Sequence, residues 1–447
     1  MQLHFIAIGG AIMHQLAIAL HNKGFQITGS DDEITDPAKT NLAAAGLLPA
    51  AFGWFPERIH EQLDAVILGM HAKENNPELI RARELGLKVY SFPEYMYEVS
   101  RDKKRVVIAG SHGKTTTTSM IMHVLRDQKM DFDFLVGAKV EGFDYSVKIS
   151  DAPVIILEGD EYPASVIEKR PKIHFYHPHI SVLTGIAWDH VNVFPTYEFY
   201  KEQFAIYLNQ MQEGAVLIYN AEDKEVVGLT EKMPRHIRDI PYITPSYRVQ
   251  DNAVVLPTSE GKVQLQIFGA HNLQNMEAAR KVCNMLDISD DAFYKSIASF
   301  TGAARRLEKL HERQHFIAYR DFAHAPSKLK ATLQAARDRY PDHKLVACFE
   351  LHTYSSLNAA FLSEYAHTMD LADNAAVFFS AHALALKGLP PLDAGEVQQY
   401  FENQQLAIFQ DKAMLEQWIK AQIADPDMPV CLLLMSSGTF DGMSLQF

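Results

Sequence analysis

Short apolar runs alternate along this chain with longer segments whose apolar positions recur at helical spacing. That alternation is the pattern of parallel strands covered by helices. In the first part it predicts strands at 3–8, 26–28, 65–68 and 89–91 and helices at 11–22, 37–45 and 77–85. The basic stretch 101–105 then precedes a new strand, 106–109, a glycine-containing turn and a helix over 114–126. Further strands are predicted at 154–157, 181–183, 216–219 and 263–267, followed by a helix over 272–285. After Phe300 come strands at 316–319, 345–349, 376–379 and 430–435, with a helix over 327–338. The expected fold is α/β with three domains. These are a Rossmann-like unit over 1–103, a central phosphate-loop domain with a mainly parallel sheet over 104–300, and a C-terminal Rossmann-like unit over 301–447.

Composition narrows the function classes. The chain has 447 residues, 47% of them apolar, enough for several cores. Its net charge of −13 gives no general attraction for nucleic acid or anionic lipid, so any phosphate site must be local. No apolar run approaches the ~18 residues of a membrane helix, and the N-terminus lacks the basic region of a signal peptide. The three cysteines, Cys283, Cys348 and Cys431, are far apart in apolar surroundings. They read as buried thiols of a reducing compartment, which places the protein in the cytoplasm.

The sharpest local signal is Gly110-Ser111-His112-Gly113-Lys114-Thr115-Thr116 between a buried strand and a helix. Backbone N–H groups there can wrap a polyphosphate, Lys114 can reach the β- and γ-phosphates, and the Thr115 hydroxyl can reach Mg²⁺. The spacing departs from the usual phosphate loop, because Ile108 stands where the first glycine is expected. The competing reading is a glycine turn with a surface lysine. Glu158, Asp160 and Glu161 follow the strand at 154–157, where an open sheet places ligand chemistry. They could bind Mg²⁺ or form a solvated acidic loop. Asp189 and His190 follow another strand and could serve a site or a packed turn. His271, Asn272 and Asn275 open a helix and could meet a purine base, or Asn272 could act as an N-cap. Arg305 and Arg306 are either surface charge or partners of a transferring γ-phosphoryl group.

These segments, with Asp321-Phe322-Ala323-His324-Ala325-Pro326 after them, occur in an order that resembles the Mur ligase family, specifically its UDP-N-acetylmuramate branch. Gly9 and Gly10, with Thr28-Gly29-Ser30-Asp31, are similar to that branch's UDP-binding domain. The resemblance implies an ATP-dependent ligase that joins the carboxylate of a UDP-linked muramyl substrate to an amine through an acyl phosphate. It further implies that Gly110, Ser111, His112, Gly113, Lys114, Thr115 and Thr116 hold ATP phosphates. Thr115 and Glu158 would bind one Mg²⁺, and His190 would help to bind a second. His271, Asn272 and Asn275 would meet adenine, Asp321 the ribose, and Arg305 or Arg306 the γ-phosphate. Gly9, Gly10, Ser30, Asp31 and His324 would contact the UDP-N-acetylmuramate substrate or its partner amine. Closure of the third domain is expected to assemble the site.

The sequence also departs from the family's pattern. The first glycine turn is poorer in glycine than the branch's usual loop, Asn192 replaces a second aspartate, and no lysine matches the carbamylated lysine of some relatives. Branch members that add L-alanine carry two arginines in a stretch whose match here is Glu350 to Ser356, with Thr353 and Ser356 in the arginine positions. A hydroxyl cannot imitate a guanidinium fork on a carboxylate. The resemblance therefore favours the recycling members, which attach the tripeptide L-alanyl-γ-D-glutamyl-meso-diaminopimelate. L-alanine ligation and a non-catalytic precursor sensor are the alternatives.

Overall fold

The computed structural model describes residues 1–250, 253–258 and 261–444. The chain divides into two compact units. One comprises Met1–Ile186, Glu198–Tyr242 and Ala278–Ile288; the other comprises Ala187–Tyr197, Ile243–Glu277 and Ser289–Phe447.

The first unit holds two sheets. A four-stranded parallel sheet runs in the order Gln26–Ser30, Gln2–Ile6, Ala65–Leu68, Val89–Ser91. Its first strand stops at Ile6 rather than at residue 8, because Ala7 takes a left-handed conformation (φ 65°) that turns the chain toward the glycines. The second sheet has seven strands in the order Arg238–Tyr242, Val216–Asn220, Ile180–Leu183, Lys104–Ala109, Val154–Glu158, Asp133–Leu135, Val147–Lys148. All its neighbours are parallel except the last pair. The central strands are almost wholly apolar and buried, as two-sided coverage demands. Register sets the site: Ile108 pairs with Glu158 and Ala109 with Leu183, so the chain leaves all three central strands side by side at one edge.

The second unit is built on a six-stranded sheet in the order Glu308–Arg313, Phe316–Asp321, Val430–Met435, Lys344–Glu350, Asn374–Phe378, Ala407–Phe409. Only its first strand runs antiparallel to its neighbour. One face packs Ala318, Val346, Leu432 and Leu434 against Leu415 and Ile419 of the helix Lys412–Gln422. The strand expected at 263–267 belongs to neither large sheet. Gly261–Leu265 pairs antiparallel with Ala253–Thr258 in a separate three-stranded sheet of this unit, so its placement in the central parallel sheet is corrected.

All three cysteines are buried and free, and burial pushes each thiol up, that of Cys431 to about 12. Among the described residues, no helix is long and apolar enough to cross a membrane.

Candidate active site

The phosphate-loop segment occupies the strand-edge position its sequence predicts. Strand Lys104–Ala109 ends, Gly110 to Gly113 turn, and the helix Lys114–Asp127 begins. Gly110 has φ 121°, and a Cβ there would lie 2.3 Å from Thr184 Oγ1, so only glycine fits. Gly113, at φ 73°, precedes the helix. Thr184 donates to the carbonyls of His112 and Ala109, and Ser111 N donates to Gly185 O at 2.9 Å. These bonds fix the loop to the next strand's end.

Lys114 Nζ donates to Gly110 O and to Glu161 Oε2, each at 2.6 Å. Burial alone would pull this ammonium down, but Glu161, then Asp160 and Glu158, more than reverse that and leave its pKa raised. The Tyr200 hydroxyl lies 3.1 Å from Glu161 Oε1 and 2.7 Å from Ser111 Oγ, which links the carboxylate back to the loop. Thr115 Oγ1 donates to Glu158 Oε1 at 2.8 Å, while Gly137 N donates to Glu158 Oε2 at 2.8 Å. Asp160 is drawn aside by Lys172 at 2.6 Å. Of the acidic residues in this loop, Glu158 and Glu161 therefore meet the phosphate-loop side chains.

Among the described residues, no group of three or more His, Cys, Asp or Glu side chains forms a self-contained metal cage. The Thr115 hydroxyl with the Glu158 carboxylate is instead a sparse oxygen set. It suits Mg²⁺, which takes one or two protein oxygens and fills its shell from phosphates and water.

The glycine turn of the four-stranded sheet brings its predicted residues together. Gly9 N donates to Asp31 Oδ2 at 2.7 Å, and Ala7 N and Ile8 N both donate to Ser30 O. A Cβ on Gly9 would stand 2.8 Å from Ile34 Cγ1 and 2.9 Å from Asp31 Oδ2. Burial raises the Asp31 carboxyl against the opposing effect of the Gly9 bond. Gly10 accepts from the His14 ring at 2.9 Å through its carbonyl.

In the second unit, Asp189 is buried with Oδ2 at 3.5 Å from both His324 Nε2 and Lys328 Nζ. Burial works to raise Asp189, but Lys328 and His324 outweigh it and hold the carboxyl well below its usual range. His324 Nδ1 donates to Phe322 O at 2.9 Å, which leaves Nε2 facing Lys328 Nζ at 3.3 Å. Burial, then the Lys328 charge, lowers this imidazole. His190 sits beside Asp189 at φ 56°, with its backbone N–H on Asp189 Oδ1.

One expectation needs adjustment, and two others gain their surroundings. The helix expected from residue 272 begins at Ala270, so Asn272 lies in its first turn, where Nδ2 donates to Phe268 O at 2.9 Å. It is therefore not the N-cap. Asp321 spends both carboxylate oxygens on the protein: Oδ2 accepts from Leu307 N, and Oδ1 from Ala323 N and Thr332 Oγ1. In this structure it braces the arginine turn. Both arginines lie over the Phe322 ring, Arg305 at 5.2 Å and Arg306 at 4.6 Å, and the Arg305 guanidinium also reaches the carbonyls of Gly438 and Ser436. His271 is half-buried and burial lowers its pKa; Asn275 is buried on the same helix.

Sequence reasoning did not select Tyr200, Thr184 or Lys328. Each acts through a partner distant in sequence, and Tyr200 lies on a helix, Tyr197–Asn209, that the pattern reading passed over.

Comparison with known proteins places this geometry. Residues 2–104 match the model described as Mur ligase family, catalytic domain, and residues 108–283 match the Mur ligase middle domain. The chain belongs to the Mur ligase family. It is an ATP-dependent carbon–nitrogen ligase of that family. A UDP-N-acetylmuramate–L-alanine ligase from a Sulfurihydrogenibium species is 31% identical over 381 residues, covering 83% of this chain and 81% of that protein. A relative of the same name from Dechloromonas aromatica is 28% identical over 100% of this chain and 98% of its own length. In fold, the chain resembles a murein peptide ligase from Psychrobacter arcticus (TM-score 0.66, 21% identity, 99% and 97% of the two chains). It also resembles a UDP-N-acetylmuramate–alanine ligase from Thermotoga maritima (TM-score 0.71, 19% identity, the same coverage).

Proposed function

We propose that this Mur ligase joins the lactyl carboxylate of UDP-N-acetylmuramate to the amine of the tripeptide L-alanyl-γ-D-glutamyl-meso-diaminopimelate in peptidoglycan recycling in the cytoplasm. The observation that carries the choice of amine is the hydroxyl pair at Thr353 and Ser356. Thr353 Oγ1 lies 3.0 Å from Ser356 Oγ and accepts from Ser356 N at 3.0 Å, while Ser356 Oγ donates to Thr353 O at 3.2 Å. These groups close a local turn and offer no cation to a small amino acid's carboxylate.

Lys114 and the N–H groups of residues 110–116 take the triphosphate. Thr115 and Glu158 would hold Mg²⁺ and His190 would help to hold a second metal; when bound, such ions neutralise charge where an anionic carboxylate meets an anionic phosphate. We assign Arg306, whose guanidinium lies over the Phe322 ring at 4.6 Å, to the γ-phosphate. A carboxylate oxygen attacks the γ-phosphorus, ADP leaves, the amine attacks the acyl carbon, and phosphate departs with that oxygen. Positioning and charge neutralisation supply most of the acceleration in such a transfer. Gly9, Gly10, Ser30 and Asp31 serve the UDP substrate, His271, Asn272 and Asn275 the adenine, and His324 the substrate end of the second unit. Asp321 serves the ATP ribose, its carboxylate held in place by Leu307 N, Ala323 N and Thr332 Oγ1.

L-alanine ligation is the second reading, favoured by the names of the curated relatives. Purified enzyme given Mg²⁺, ATP, UDP-N-acetylmuramate and equimolar L-alanine and tripeptide decides between them by product mass. The tripeptide adduct is expected to dominate; an alanine adduct alone overturns the choice of amine.

A further inference from the structure

The second unit contains a cavity of about 490 Å³ that the mechanism above leaves unused, lined among others by Arg305, Arg320, Leu434, Ser436, Phe440 and Met443. Arg320 is out of pattern. It lies on a strand in register with Leu434, on the face where Phe316 and Ala318 enter the apolar core. A third apolar side chain would continue that face, yet the chain ends it with a guanidinium.

Two features give the cavity anion-binding chemistry. Arg320 engages Glu308 through Nη2 at 3.0 and 2.9 Å, while its buried Nε has no hydrogen-bond partner among the described residues. Arg305 likewise uses its Nη2 on carbonyls and leaves a buried Nε without one among the described residues. Buried donors without acceptors are costly, and the two guanidiniums that carry them line the cavity, where an anion can pair with their charge. The charges also do not cancel. Glu308 offsets one arginine. Glu350 lies within electrostatic reach of Arg305, but its Oε2 accepts from Ser436 Oγ and Phe440 N rather than from either guanidinium. Burial, then the Arg320 and Arg306 charges, depresses Arg305, as expected of crowded cations.

The apolar side of the cavity, Leu434, Phe440 and Met443, suits a ligand whose carboxylate sits on a hydrocarbon stem. Its lining residues Ser436 and Gly438 follow the strand Val430–Met435, which pairs with the strand Lys344–Glu350 that leads into the 350–356 stretch, and Glu350 ties that stretch to the 436–440 loop. We propose that the Arg305–Arg320 cavity binds the C-terminal carboxylate end of the peptide amine. This inference rests on the peptide reading. It supplies the carboxylate recognition that Thr353 and Ser356 cannot.

The test compares the free-acid tripeptide with the same peptide amidated at its diaminopimelate carboxylates, on wild-type enzyme and on Arg320→Gln. On wild type, amidation is expected to raise the peptide KM about tenfold or more, as loss of a charge-assisted contact does. Arg320→Gln is expected to raise the KM for the acid by a similar factor, to leave the KM for the amide unmoved, and to act on KM rather than kcat. Arg320→Lys falls between, keeping charge but losing the fork. The wild-type acid–amide comparison needs no variant, so it stands even if Arg320→Gln fails to fold. Peptide-dependent turnover with equal KM for acid and amide, or a variant that weakens both equally, overturns the cavity assignment and leaves the peptide reading standing. No peptide-dependent turnover on wild type overturns the reading itself, and the assignment with it.

Discussion

Lys114 Nζ and Glu161 Oε2 form a 2.6 Å ion pair in which the lysine side chain is 13% exposed and the glutamate 1%. The ammonium we assign to the triphosphate is thus held by a carboxylate of its own sheet edge, and on that assignment an incoming phosphate displaces the carboxylate. Replacing Lys114 by Ala is expected to lower kcat/KM by a factor of about 10² or more, the usual result of removing one charge-stabilising donor from a phosphoryl-transfer site. ADP release under saturating amine reads it. Retention of half the wild-type rate would count against the assignment.

Glu161→Gln tests the displacement itself. With the competing charge removed, nucleotide binding without metal is expected to tighten several-fold, measured by calorimetry with ATP. Weaker binding would show that Glu161 organises the loop through Tyr200 and Ser111 more than it competes for Lys114.

Glu158 is the carboxylate that faces Thr115. Glu158→Gln keeps both hydrogen-bond positions but loses the charge Mg²⁺ requires. The Mg²⁺ concentration giving half-maximal ADP release is expected to rise at least tenfold, while the melting temperature without metal stays within a few degrees. An unchanged Mg²⁺ midpoint would remove Glu158 from the metal site.

Much of this edge can be read from sequence. A buried strand, a glycine turn and Lys-Thr at a helix start are contiguous, so their chemistry and placement appear together, and Glu158 follows its own apolar run in the same way. The Lys114–Glu161, Ser111–Tyr200 and Thr184–His112 bonds join residues far apart in the chain. No local period encodes such pairs; they emerge only when register sets Ile108 beside Glu158 and Ala109 beside Leu183. Arg305 and Arg306 show the same limit at one-residue resolution. Sequence leaves them equivalent, whereas in the fold both guanidiniums lie over Phe322 and Arg305, whose backbone is left-handed, also reaches the Gly438 carbonyl.

Stability should depend on pH through buried neutral histidines. His174 Nε2 donates to Gln203 O at 2.8 Å, and its buried Nδ1 has no partner among the described residues. Burial lowers its pKa. The unfolded chain therefore binds more protons than the folded one as pH falls through the ordinary histidine value near 6.5, and stability is lost on the acid side. The melting temperature is expected to be flat above about pH 7.5 and to fall between about pH 7 and 5.5, with a shallower fall in His174→Gln. An identical slope in that variant would assign the effect to other groups.

The fate of one oxygen atom tests the ligase chemistry most directly. UDP-N-acetylmuramate carrying ¹⁸O in its lactyl carboxylate is incubated with enzyme, Mg²⁺, ATP and tripeptide, and the released phosphate is weighed by mass spectrometry. Attack of that carboxylate on the γ-phosphorus predicts one ¹⁸O in each phosphate and a peptide-linked product that keeps the other. Phosphate released without label, or ATP consumed with no amide formed, would contradict the account.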